Sequence, residues 1–245
     1  MIRFVVARAV LATALVPLMI GCQQPERNVP TEAPAVDTSA ASAGPAAGIP
    51  IAQRPVVLFL GTSLTAGLGL LAEDAFPAVI QEKIDSAGLP FRVVNAGVSG
   101  ETSAGARRRI DWLLRQNFDV LVLETGANDM LRGTNVDSTR ANIQAIVDRV
   151  REARPEARIV LAGMLAAPNL GREYTSRFRD MYPELATQND LPLIPFLLQD
   201  VAAVPEMNQG DGMHPNVEGA RRVAANAWTV LEPVLREEAL SQSID

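Results

Sequence analysis

Val56-Val57-Leu58-Phe59-Leu60 runs directly into Gly61-Thr62-Ser63-Leu64-Thr65-Ala66-Gly67. An unbroken apolar run of this length, partly β-branched and without polar alternation, reads as a strand buried on both faces, the condition of a strand inside a parallel sheet. Four more short apolar runs follow, at 91–94, 120–123, 159–161 and 193–194, each bounded by Gly, Pro, Asn or Asp. Longer stretches with apolar residues at helical spacing lie between them, such as Phe76, Val79, Ile80 and Ile84, and Ile143, Ile146, Val147 and Val150. Strand and helix in alternation predict an α/β fold: a three-layer α/β/α sandwich around a five-stranded parallel sheet, closed by a helix over 217–235. In such sheets the ligand crevice lies beyond the carboxyl ends of the strands, so the residues that follow each run are the ones to inspect.

After the first run comes Gly61-Thr62-Ser63, after the second Asn95-Ala96-Gly97, and after the third Glu124-Thr125-Gly126-Ala127-Asn128-Asp129. Before the last helix stands Asp211-Gly212-Met213-His214-Pro215, which holds the only histidine of the chain. Imidazole takes up and returns a proton near neutral pH, so hydrolytic chemistry here has a single candidate base of that kind. Taken alone, Asp-x-x-His is a turn whose carboxylate caps a helix, Gly97 an ordinary turn glycine and Asn128 an Asx-turn. The four blocks in this order resemble the SGNH (GDSL-type) hydrolases, and the resemblance spans about residues 55–235. Within that family the chain is most similar to the small secreted thioesterase, lysophospholipase and arylesterase branch. The similarity is carried by 61–69, by Gly126-Ala127-Asn128-Asp129-Met130-Leu131-Arg132-Gly133 and by Pro168-Asn169-Leu170-Gly171-Arg172-Glu173-Tyr174.

The resemblance implies the flavodoxin-like fold of that family and a serine esterase working through an acyl-serine intermediate on carboxylic esters or thioesters. O-acetylesterase action on a cell-envelope polysaccharide is an alternative, and a non-catalytic binding lipoprotein a more distant one. By the same resemblance Ser63 is the nucleophile, His214 the general base and Asp211 the carboxylate that orients it. The oxyanion hole is formed by the Ser63 N–H, the Gly97 N–H and the Asn128 side-chain amide. A serine hydroxyl needs such a base, and the imidazolium needs such a carboxylate. Pro215 keeps His214 extended, and Asn216 is placed to cap the helix that follows. Leu68, Met130, Leu131, Met164 and Leu170 follow strand ends and are expected to bind the acyl chain. The family motif Gly-Asp-Ser-Leu has aspartate where this chain has Thr62. Threonine still donates and accepts hydrogen bonds, so activity is expected to survive the change.

Other motif readings fail on particular residues. Gly67-Leu68-Gly69-Leu70-Leu71-Ala72 fits a dinucleotide fingerprint, but Asn95 stands where an acidic ribose ligand belongs. Thr65 occupies the glycine position of an α/β-hydrolase nucleophile elbow. A single histidine with no cysteine pair forms no zinc pattern, so neither metal nor cofactor is expected. A net charge of -6 without a basic stripe argues against nucleic acid. A small acyl ester or lysolipid is the expected partner of a monomeric enzyme.

The ends of the chain read differently. Arg3 and Arg8 precede an apolar run of 12 residues, 9–20, and Gly21-Cys22 closes it. As a helix that run rises roughly 18 Å, short of the roughly 30 Å hydrocarbon core, so 1–22 reads as a secretory signal. The sole cysteine, Cys22, resembles a bacterial lipobox cysteine, which implies lipidation there and a membrane anchor. Gln23 after it favours the outer membrane, with plain periplasmic or secreted export as the fallback. Residues 23–54, rich in Ala, Pro, Ser and Thr and without aromatics, make a flexible linker with a reach of roughly 30 Å. The folded domain is expected over 55–238, with a short tail at 239–245.

Overall fold

In the computed structural model, residues 49–242 are described; the expected signal segment, Cys22 and all but the last residues of the linker lie outside them. Five parallel strands, β1 (Val56–Gly61), β2 (Arg92–Gly97), β3 (Val120–Glu124), β4 (Arg158–Ala162) and β5 (Leu193–Ile194), are ordered β2-β1-β3-β4-β5. β1 and β3 are buried along their whole length, as unbroken apolar runs in the middle of a parallel sheet should be. β2 departs from that expectation. It lies at the sheet edge and is only half-buried, and it continues past the apolar run through Asn95 to Gly97, paired with Gly61. An edge strand is paired on one side only and is open to solvent along the other, so it tolerates Arg92 and Asn95, which point to opposite faces.

The helices are α1 (Ser63–Ala66), α2 (Phe76–Ser86), α3 (Ser103–Leu113), α4 (Ala127–Leu131), α5 (Val136–Ala153), α6 (Arg172–Gln188) and α7 (Val217–Ser241). α2 packs on α7, while α5 packs on both α3 and α6. Right-handed crossovers account for the two layers, because the chain moves from β1 outward to β2 and then back across β1 to β3, reversing the face on which its helices lie. Caps set several helix starts: Thr102 for α3, Asn135 for α5 and, as the sequence suggested, Asn216 for α7, whose side chain accepts from Gly219 N at 2.9 Å. α7 runs on to Ser241, so the expected tail is helical over its first residues.

The core joins the sheet to both layers through Phe59, Phe91, Phe178 and Tyr182, all fully buried. Phe59 meets Phe76 edge-on at 5.6 Å, and Phe178 meets Tyr182 at 5.5 Å. The reversal of chain direction falls between β1 and β3, which opens a crevice at their carboxyl ends. Ser63 follows the first of these strands and Asn128 the second.

Candidate active site

Ser63 is the first residue of α1, immediately beyond β1, and is mostly buried. Its Oγ lies 2.9 Å from His214 Nε2, although 151 residues separate the two in sequence. On the other side of the ring, His214 Nδ1 lies 2.6 Å from Asp211 Oδ2. Asp211 Oδ1 also accepts from the backbone N–H groups of Met213 at 2.9 Å and His214 at 3.0 Å. The His214 backbone N–H first, then its ring and the Met213 N–H, hold the Asp211 carboxyl well below the usual carboxylate range. An ionised Asp211 accepts the Nδ1 proton and leaves Nε2 unprotonated toward Ser63, the tautomer a general base needs.

The turn carrying acid and base is tied down by its own backbone. Gln209 N donates to His214 O at 2.8 Å, and Asn216 N donates to Met207 O at 2.9 Å. Gln209 Nε2 donates both to Pro215 O at 2.9 Å and to Leu68 O at 2.7 Å, joining the histidine turn to the segment after the serine. Nothing in the sequence marked Gln209, because a glutamine in a loop carries no pattern of its own.

Negative charge developing on a substrate oxygen needs donors that are not already engaged. The Ser63 N–H, at the start of α1, donates to no group among the described residues. Asn128 donates one amide hydrogen to Glu101 O at 3.0 Å, which leaves its second hydrogen available and anchors the loop 98–102 beside it. Gly97 does not fit the role expected of it. Its N–H donates to Asn95 Oδ1 at 2.9 Å. It is the last residue of β2, so close to α1 that an added Cβ would collide with the Ala66 backbone. Gly97 is therefore glycine because of a close approach between strand and helix.

Further bonds hold the loop 98–102. Arg109 makes a two-nitrogen contact with the Glu101 carboxylate, as short as 2.7 Å, and donates to Ala96 O at 2.8 Å. Both side chains are largely buried. Asp129, fully buried, accepts from Ser103 N at 2.7 Å and Ser103 Oγ at 2.6 Å, so the carboxylate next to Asn128 pins the start of α3.

An apolar pocket beside Ser63 and His214 is lined by Leu64, Leu68, Leu70, Phe76 and Val223. Of the five expected acyl-binding residues, Leu68 lies on it. Met164 is buried in the core, Met130 packs partly buried against the core, Leu131 is half exposed, and Leu170 sits in a short helical turn, Pro168–Leu170. The sequence pattern missed Phe76 and Val223 because they belong to the apolar faces of α2 and α7, where they are indistinguishable from core. No cluster of three or more His, Cys, Asp or Glu suited to a metal ion occurs among the described residues.

A hydroxyl, an imidazole and a carboxylate in series at the switch point of a doubly wound sheet define a serine hydrolase. The model of the GDSL-like lipase/acylhydrolase family matches residues 59–222. The chain is 35% identical over 185 residues to Esterase TesA of Pseudomonas aeruginosa, covering 75% of this chain and 91% of that one. It is also 35% identical over 189 residues to Thioesterase 1/protease 1/lysophospholipase L1 of Escherichia coli K12, covering 77% and 88%. The structure of the psychrotrophic esterase EstA from Pseudoalteromonas, inhibited by monoethylphosphonate, matches with a TM-score of 0.69 at 31% identity, over 74% of this chain and 98% of that one. The chain belongs to the GDSL-like lipase/acylhydrolase family, the SGNH hydrolases.

Proposed function

We propose that this chain is a serine esterase that hydrolyses small carboxylic esters or thioesters by two-step acyl transfer. The observation that carries the reading is the unbroken relay from Ser63 Oγ through His214 to Asp211, at 2.9 and 2.6 Å. His214 takes the Ser63 proton as Oγ attacks the acyl carbon, then returns it to the departing alcohol or thiol. Water, deprotonated in the same way, releases the acid and regenerates the serine.

The oxyanion is held by the Ser63 N–H and the free hydrogen of the Asn128 amide. The third donor is Gly100 in place of Gly97: Gly100 N–H makes no hydrogen bond among the described residues, and its loop is fastened beside Asn128 through Glu101 O. The apolar wall formed by Leu64, Leu68, Leu70, Phe76 and Val223, whose free volume of about 10 Å³ is that of one water, offers an acyl chain its first contacts beside Ser63, and its few polar groups favour a monoacyl substrate over a sugar. No helix among the described residues is long and apolar enough to cross a membrane. Export led by 1–22, with lipid attached at Cys22 and 23–54 as tether, places a monomeric enzyme on the periplasmic side of the envelope, at the outer membrane.

Intact-mass analysis after fluorophosphonate treatment tests the assignment. One phosphonyl adduct is expected on the wild-type chain and none on Ser63→Ala; an adduct of equal yield on the variant removes Ser63 from the role.

A further inference from the structure

Glu124 closes β3 and is 1% exposed, yet the chemistry above gives it no part. A buried carboxyl is costly unless its oxygens are hydrogen-bonded. This one accepts from Thr62 N at 2.7 Å, from Thr65 Oγ1 at 2.9 Å, and from Thr62 Oγ1 at 2.9 and 3.0 Å. All three donors belong to the turn that carries Ser63. The other side of Thr62 is held as well, since Thr62 O accepts from Ala66 N at 2.9 Å within α1. With both its N–H and its C=O engaged, Thr62 is fixed at φ −101° and ψ −148°, and ψ of Thr62 sets where the Ser63 N–H points. Gly61 makes room for this cluster, because a Cβ there would run into Thr65 and Glu124.

We propose that Glu124 is a positioning residue of the reaction: through Thr62 and Thr65 it fixes the Thr62–Ser63 peptide so that the Ser63 N–H faces the developing oxyanion. The proposal rests on Ser63 being the nucleophile. Thr62, where the family motif has aspartate, serves this arrangement as a donor. With Glu124 supplying the carboxylate, the neighbouring position needs a donor, and threonine is one. A second acid there would bring two carboxyls into contact in a buried site.

An oxyanion donor acts in the transition state and not on bound substrate, so misaiming it lowers kcat and leaves KM in place. Glu124→Leu removes every acceptor, whereas Glu124→Gln keeps one oxygen for the Thr62 N–H. On p-nitrophenyl butyrate, Glu124→Leu is expected to lose on the order of 100-fold in kcat with KM within about twofold, and Glu124→Gln to recover most of that loss. The rate of fluorophosphonate labelling should fall in step with kcat. If Glu124→Leu does not fold, Thr62→Val and Thr62→Ser make the second pair. Valine should lose kcat on the order of tenfold at unchanged KM, and serine should restore it. Folded Glu124→Leu or Thr62→Val enzyme with wild-type kcat overturns the proposal, as does a loss confined to KM. Failure of the underlying assignment shows separately, as a wild-type chain that Ser63→Ala matches in turnover and labelling.

Discussion

The side-chain nitrogen of Gln209 lies 2.7 Å from the carbonyl oxygen of Leu68, a single hydrogen bond that sets how far the histidine turn stands from the nucleophile turn. Neither residue takes part in the chemistry, yet the distance between His214 Nε2 and Ser63 Oγ depends on them. Gln209→Ala removes this bond and the one to Pro215 O. At about 0.5–1.5 kcal/mol for each bond, the relay loosens without collapsing. Two such bonds are worth about 1–3 kcal/mol together, so the expected result is a fall of roughly 5- to 150-fold in kcat/KM with the fold intact by circular dichroism.

Asn128 and Gly97 should separate rate from stability. Asn128→Ala removes the proposed oxyanion donor and is expected to cost about 2.7–4 kcal/mol of barrier, a loss of 100- to 1,000-fold in kcat. Gly97→Ala drives a methyl into the Ala66 backbone, so its first effect should be a lower thermal midpoint. Measuring kcat and melting midpoint on both variants checks the division. A Gly97→Ala chain of wild-type stability whose activity alone is lost would return Gly97 to the oxyanion hole.

The carboxyl of Asp211 is held below its ordinary range, which fixes the sign of its pH effect. A depressed carboxyl contributes stability that is fully present above the unfolded-chain value, about 4, and is lost as pH falls toward the lower folded-state value. The wild-type chain should therefore lead Asp211→Asn in thermal midpoint at neutral pH, and the lead should narrow only below about pH 4. Melting curves of both chains across that range measure it. Activity of Asp211→Asn should be low at every pH, because the amide cannot hold the required tautomer.

Glu124 carries the opposite sign. Burial pushes its carboxyl up, against the pull of the Thr62 and Thr65 bonds. Thr62→Asp would add a second carboxyl to that site and raise both further. A raised carboxyl contributes stability below its unfolded value and loses it as pH rises through the folded one. The Thr62→Asp chain should melt near the wild-type midpoint at about pH 4.5 and progressively below it toward pH 8. A parallel pair of midpoint curves would contradict this.

The central part of the fold was legible because β1 and β3 are covered on both faces, and such strands cannot hide among polar residues. β2 was cut short in the sequence reading because an edge strand admits Asn95, and that error made Gly97 look like a loop residue. α3 carries Arg107, Arg108 and Arg109 on a helix with a narrow apolar stripe, so its periodicity is weak. Ser63, Asp211 and His214 stood out through residue type and order. Glu124 did not, because an acid after an apolar run also reads as the start of a turn. Of the expected acyl-binding set, Leu68 reaches the pocket beside Ser63 and Met164 does not, for a related reason. Position after a strand places a residue near the crevice but does not say whether it faces the crevice or, like Met164, the core.

Val56 and Ser63 sit at opposite ends of the first strand, which as six residues spans roughly 20 Å. The polypeptide enters the domain at one pole and opens its reactive cleft at the other. Substrate and product therefore come and go at the carboxyl edge of the sheet, a full strand length from the residue with which the sheet begins.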